Sequence, residues 1–264
     1  MNGSRVILAA HRGDRKNCPE NTMPAFESAL HFGVDMIETD VRMTKDGALV
    51  LTHDLSLKRI TGVCGQTNEW TLDEIRTLDA GAYFSPEFQN TPIPTVEELI
   101  ALIKDSDMLV NWELKDYPKD VGEKFAFETA DKLIALIQKH GLEKRSMINS
   151  FSDRVLEHIY TQHGSAFSIH GQGIFYCQKT NDRAAVPQEE LYDWCCLYPN
   201  EAGLRPLDFP ENFEYCKKHG ILPCVCVPDE LETYRQYVAL GCRMFTSNDI
   251  YAADSILRDL KLRK

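Results

Sequence analysis

Long hydrophobic runs are missing from this 264-residue chain. The opening apolar stretch, Val6 to Ala10, is too short for the apolar part of a secretory leader, and a membrane span would need ~20 such residues. Internal repeats, low-complexity tracts and blocks of like charge are missing too. Positive charge is in short supply: 29 Lys and Arg against 40 Asp and Glu leave a net charge of −11. Such a surface repels polyanions and anionic membranes, which argues against nucleic acid or a stable membrane association as partners. A small phosphate-bearing molecule would have to be drawn in by a local device, either a metal ion or a few placed cations. The nine cysteines lack the four-ligand spacing of a structural zinc site. Cys195 and Cys196 are adjacent, and Cys224 and Cys226 lie in C-x-C spacing on an apolar segment, so they read as small buried hydrophobes in strands. Free thiols without an export leader point to a reducing cytoplasm.

What the chain does have is 43% hydrophobic residues and a length suited to one α/β barrel, a fold that typically takes ~250 residues. Short β-branched runs alternate with helical patterns, as expected of parallel βα units. Strands are expected near Arg5–Ala10, Met36–Val41, Met108–Leu114, Ser146–Ser150, Ala166–His170, Trp194–Tyr198, Ile221–Val227 and Arg243–Ser247. Helices are expected near Pro24–Phe32, Val96–Lys104, Gly122–His140, Asp153–His163, Pro210–Lys218, Glu230–Leu240 and Ala252–Leu260. Only the connection after His170 lacks a clear helix. Capping boxes at Thr71-x-x-Glu74 and Thr95-x-x-Glu98, Pro24 in a first turn, and Gly141 and Gly220 after helices mark the boundaries. The pattern predicts a closed (β/α)8 TIM barrel over residues 1–264 as a single domain. A doubly wound open sheet is the competing architecture.

One stretch departs from the alternation. Asp46-Gly47 between two apolar segments is a hairpin signal, so the second strand should continue into an antiparallel excursion ending at His53. Residues from about 54 to 94 then form an insertion with its own capping box and aromatic residues Trp70, Tyr83 and Phe84. Insertions of this kind decorate one face of a barrel and carry specificity.

Chemistry gathers at the expected strand ends. His11-Arg12-Gly13 closes the first strand. Glu38-x-Asp40 places two carboxylates on one face of the second, and Glu113-x-Lys115 repeats the spacing at the end of the third. In a parallel barrel these ends form one rim. Three carboxylates crowded there repel one another unless a divalent cation binds them, and oxygen-only ligands favour Mg2+ or Ca2+ over zinc. Arg12 and Lys115 would add donors for phosphate oxygens. His11 and His53 are candidates for an acid and a base that work near neutrality. Any one of these residues alone is more often structural; their convergence on one rim is the argument. His170 ends a strand and is a secondary candidate for substrate contact, with 170–176 as a possible pocket lining. His31, His140, His158, His163 and His219 sit on or after polar helical segments and read as solvated.

The run His11-Arg12-Gly13, Pro19-Glu20-Asn21-Thr22, Glu38-Thr39-Asp40-Val41, Thr44-Lys45-Asp46-Gly47 and His53-Asp54 closely resembles the opening signature of the glycerophosphodiester phosphodiesterase family. Thr61-Gly62, Leu78-Asp79, Ile93-Pro94-Thr95 and Trp112-Glu113-Leu114-Lys115 extend the resemblance, which is detailed over about residues 5–115 and looser beyond. It implies a barrel, a divalent metal and hydrolysis of a glycerophosphodiester to glycerol 3-phosphate and an alcohol. It also implies roles: His11 and His53 as the acid–base pair, Glu38, Asp40 and Glu113 as metal ligands, Arg12 and Lys115 on the phosphate, Glu20 and Asn21 in support. The later strands depart from the family pattern. Cys224-Val225-Cys226-Val227-Pro228-Asp229 stands where many relatives carry a Trp-containing strand end, and Phe245–Asp249 also differs, so the identity of the substrate's alcohol side is open. A phospholipase D-like headgroup enzyme and a non-catalytic barrel that binds a phosphorylated ligand are the alternatives. The acidic composition speaks against the first, and the intact histidines and carboxylates against the second.

Overall fold

Residues 6–172, 182–197, 206, 209–226 and 231–263 are described by the structure, a computed structural model. The apolar runs become strands β1 (Ile7–His11), β2 (Met36–Met43), β3 (Leu49–Leu51), β4 (Leu109–Leu114), β5 (Ser146–Ser150), β6 (Ser168–Gly171), β7 (Trp194–Leu197), β8 (Leu222–Cys226) and β9 (Met244–Ser247). Their order is β1-β9-β8-β7-β6-β5-β4-β2, and β1 also pairs with β2, so eight parallel strands close on themselves. This is the expected barrel rather than an open sheet. The Asp46-Gly47 turn, with Gly47 at φ 86, carries the chain into β3, which pairs antiparallel to the end of β2. Glycine is required there because a Cβ disfavours positive φ.

Alternation along the strands sorts side chains into two cores. In β2, Ile37 and Val41 face the helices, while Met36 joins Ile7, Ala9, Met147, Trp194, Cys196, Cys224 and Met244 inside the barrel. Outside lie helices α1 (Met23–Phe32), α2 (Lys58–Thr61), α3 (Leu72–Ile75), α4 (Val96–Ile103), α5 (Pro118–Val121), α6 (Glu123–Lys139) and α7 (Asp153–His163), followed by helices over Gln188–Leu191, Pro210–His219, Leu231–Ala239 and Ile250–Asp259. Helix α4 shows why they form. Thr95 and Glu98 complete the expected capping box, and Val96, Leu99, Ile100 and Ile103 make one buried stripe at helical spacing.

Some boundaries move. Residues Gly164–Ala166 form a 3-10 turn, so β6 starts at Ser168 rather than Ala166. The last helix starts at Ile250 rather than Ala252, because the Asp249 carboxylate accepts from the Ala252 N–H as a cap. After His170, a four-residue helix precedes β7, and residues 173–181 lie outside the described part. The same holds for 227–230, which carry part of the divergent strand end. Between His53 and Thr95, short helices gather Leu57, Ile60, Ile75, Ala80 and Ile93 into a satellite cluster with Val50. This segment departs and rejoins at neighbouring points: Val50 bridges to Thr95, and the Leu51 N–H donates to the Pro94 carbonyl at 2.8 Å.

Candidate active site

At the C-terminal end of β1 the chain turns sharply. Arg12 takes a left-handed conformation (φ 58), and Gly13 follows at φ 77, where a Cβ would lie 2.8 Å from atoms of Ala25. The turn lays the Arg12 N–H between the Glu38 carbonyl (2.8 Å) and Glu38 Oε2 (3.1 Å). Asn21 fastens the returning loop: its N–H donates to the Arg12 carbonyl at 3.0 Å and its Nδ2 to Asp40 Oδ2 at 2.7 Å, while its Oδ1 accepts from the Thr39 hydroxyl at 2.9 Å.

Glu38, Asp40 and Glu113 converge on this loop. All three are buried, and an oxygen of each lies within 4.8 Å of the others. Among the described residues, two cationic side chains sit against them. Arg12 Nε is 3.1 Å from Asp40 Oδ2, and Lys115 Nζ is 3.3 Å from Asp40 Oδ1 while also hydrogen-bonding Glu113. With fewer cations than carboxylates, the charges cannot all be tolerated alone. Burial, then repulsion from Asp40 and Glu113, raises Glu38 well above the carboxylate range. Burial likewise raises Glu113. Burial also works against ionised Asp40, but Lys115 and Arg12 outweigh it and hold that carboxyl below its ordinary value. Asp40 Oδ1 is buried and accepts no hydrogen bond. A buried oxygen-only cluster with one acceptor open and one carboxylate disfavoured as an anion fits a hard divalent cation.

The two expected histidines flank this cluster. His11 Nδ1 meets Asn248 Oδ1 at 2.5 Å and Arg15 Nη1 at 3.3 Å, and its Nε2 lies 3.9 Å from Glu38 Oε2. Burial, reinforced by Arg12, lowers His11 to about 3, so the ring is neutral. His53 follows β3, and its Nδ1 lies 2.7 Å from Asp54 Oδ1. Burial and then Lys115 lower its pKa, while Asp40 and Asp54 pull the other way. The hairpin thus brings His53 into the electrostatic reach of Asp40, Lys115 and Arg12.

Around the site, Arg42 had no role assigned from sequence, and Glu20 was expected only as a support. Arg42 stands two positions beyond Asp40 in β2. Its Nε and Nη2 donate to the His53 carbonyl at 3.0 and 2.9 Å, and its Nη1 donates to the Lys115 carbonyl at 3.0 Å and Asp116 Oδ1 at 2.9 Å. One guanidinium therefore positions the backbone of both His53 and Lys115. Its spacing from Glu38 and Asp40 was the available signal. Glu20 collects three guanidinium groups, from Arg12 (2.9 Å), Arg15 (3.0 Å) and Arg59 (2.6 Å). Burial tends to raise Glu20, but the Arg59 hydrogen bond and the arginine charges outweigh it and leave the carboxyl low.

His170 is buried, with Nδ1 3.1 Å from Asn111 Nδ2 and Nε2 3.1 Å from Cys224 Sγ. His31 and His140 are exposed, as expected. The other three are not freely solvated: His158 stacks on Phe127 at 4.2 Å and pairs with Asp131, and His163 and His219 lie half-buried against Phe167 and Tyr215. Helical spacing alone did not reveal those aromatic neighbours.

Residues 11–198 match the Glycerophosphoryl diester phosphodiesterase family. The chain belongs to that family. It is accordingly an enzyme, a phosphoric diester hydrolase. A glycerophosphodiester phosphodiesterase of Caldanaerobacter subterraneus subsp. tengcongensis is 34% identical over 251 residues, covering 93% of this chain and 95% of the relative. Among solved structures, a putative glycerophosphoryl diester phosphodiesterase from Silicibacter pomeroyi superposes with a TM-score of 0.81 at 24% identity, over 98% of this chain and 95% of that one. An Oleispira antarctica phosphodiesterase, solved in complex with the product sn-glycerol-3-phosphate, gives 0.80 at 21% identity, over 96% and 97%. These two likenesses establish the barrel. Among the described residues no helix is long and apolar enough to cross a membrane.

Proposed function

We propose that this protein hydrolyses small glycerophosphodiesters to glycerol 3-phosphate and an alcohol, with Glu38, Asp40 and Glu113 holding one Mg2+ or Ca2+ and His11 and His53 moving the protons. The observation that carries the reading is the buried three-carboxylate cluster flanked by two imidazoles and two cationic side chains. The product bound to the Oleispira relative supports the substrate class. When bound, the cation would polarise a phosphoryl oxygen and offset charge developing on it.

The chain's own groups divide the remaining work. Arg12 and Lys115 present donors to the phosphate oxygens. His11, neutral and held through Nδ1 by Asn248, offers Nε2 as the base. It takes the proton of the substrate's glycerol 2-hydroxyl as that oxygen attacks phosphorus. His53 acts as the protonated ring, a form favoured by Asp40 and by the Asp54 carboxylate on Nδ1, and gives its Nε2 proton to the departing alcohol. The resulting cyclic phosphate is opened by water with the two roles reversed. Attack from within the substrate has a proximity advantage over free water.

Residues 1–264 act as one catalytic unit in this reading, with about 54–94 shaping access. Its place of action in this reading is the cytoplasm, where an exposed thiol such as Cys64 would stay reduced. The deciding assay incubates the protein with glycerophosphocholine, with and without EDTA, and measures glycerol 3-phosphate. Product that forms with Mg2+ or Ca2+ and stops with EDTA is expected; turnover insensitive to chelation would overturn the metal assignment. An analogue lacking the 2-hydroxyl should not be cleaved. Undiminished cleavage would instead mean direct attack by water.

A further inference from the structure

Across the barrel from β2 and β4, the strands β6, β7 and β8 bring a second set of ligand atoms together. His170, Cys196 and Cys224 are all buried, and a ring nitrogen or sulfur of each lies within 4.8 Å of the others. Cys224 Sγ is 3.1 Å from His170 Nε2, and Cys196 Sγ is 3.4 Å from the sulfur of half-buried Cys226. The cysteines were expected to be small buried hydrophobes, because their linear spacing matches no zinc pattern. The barrel supplies the proximity instead: Cys196 and Cys224 are register partners on adjacent parallel strands, and His170 stands one strand further along.

We propose that His170, Cys196 and Cys224, with Cys226 completing the set, form a second metal site that takes a thiophilic cation of the Zn2+ class. It is separate from the carboxylate site in place and in chemistry. Four ligands at ~2.3 Å from a tetrahedral ion stand roughly 3.7 Å apart, so the spacings here need only small adjustments. Sulfur and imidazole donors select soft or borderline ions, whereas the oxygen cluster selects hard ones. The dication offsets most of the ligand charge: with the thiolates of Cys196, Cys224 and half-buried Cys226 and a neutral His170, one net negative charge remains beside the apolar interior of Met147, Trp194 and Met244. On binding, each of the three thiols releases its proton to solvent. Asn111 supplies the orienting partner that metal-bound histidines usually have. Its amide faces His170 Nδ1 at 3.1 Å, and its Oδ1 is buried with no hydrogen-bond partner. Turning that amide over lets Oδ1 accept Nδ1–H and leaves the Nε2 lone pair directed at the ion.

The test uses the full-length reduced protein in saturating Mg2+, which occupies the carboxylates, titrated with Co2+ as a spectroscopic substitute. One equivalent should bind with a near-ultraviolet sulfur-to-cobalt charge-transfer band, and Zn2+ should displace it. The band should be lost in Cys224→Ala and Cys196→Ala and kept in Glu113→Gln. Cys64→Ala removes an exposed thiol without disturbing the core and should also keep it. A wild-type protein that shows no such band would overturn the proposal even if the core variants fail to fold. A band that survives both core substitutions, or that vanishes in Cys64→Ala, would overturn it equally.

Discussion

Glu38 is held in an environment that disfavours its own charge. Replacing it with glutamine should therefore abolish turnover while raising the melting temperature of the chelator-treated protein above wild type. A drop in both would mean that the carboxylate is structural. His53→Ala should cost ~10²–10⁴-fold in kcat, the usual worth of a positioned proton-transfer group, with an unchanged circular dichroism spectrum. Glu20 gives a pH prediction. Its carboxyl is lowered in the fold by three arginines, so its contribution is present above the unfolded value of about 4.3 and is lost as pH falls through the lower folded value. The melting-temperature gap between wild type and Glu20→Gln should be widest near neutrality and close below about pH 4; a gap that grows in acid would contradict this. At this scale Glu38, Asp40 and His11 were legible because strand alternation aims them at one rim. Asn248 was not, since its contact with His11 spans 237 positions and depends on β1 closing against β9.

Among the elements, α4 shows how local signals and packing divide the work. Thr95→Ala should cost about 1 kcal/mol, the worth of a helix cap, and Leu99→Ala ~2–5 kcal/mol, because it empties a fully buried position. Both are read from denaturant midpoints, and equal losses would mean that the cap carries packing of its own. The capping boxes and the Asp-Gly hairpin were visible in sequence because each is a short-range bargain between neighbouring residues. Arg42 was not, because its partners are carbonyls of His53 and Lys115 on other segments. Arg42→Ala leaves buried Asp116 without its guanidinium, a class of change that costs ~3–5 kcal/mol. It should lower kcat as well as stability, because it releases the backbone under both His53 and Lys115.

For the molecule as a whole, a cation held by the carboxylate cluster would couple binding to stability. A cation that binds only the native state at 100 times its Kd adds ~2.7 kcal/mol, and in a chain of this size each kilocalorie is worth ~2–4 °C. Mg2+ or Ca2+ should thus raise the melting temperature by several degrees in wild type and leave Glu113→Gln unmoved; equal shifts in both would place the ion elsewhere. The closed barrel itself was foreseeable from the alternation of runs, whereas the gathering of His170 with Cys196 and Cys224 exists only once strands far apart in the chain stand side by side.

The residues between His53 and Thr95 hang from two points that touch, and a change in the length strung between them costs little, about 0.6 kcal/mol for each doubling. That makes this stretch a graftable cassette: a different loop of different length could be spliced in to reshape which alcohol is admitted, provided it again delivers an arginine to Glu20 as Arg59 does now.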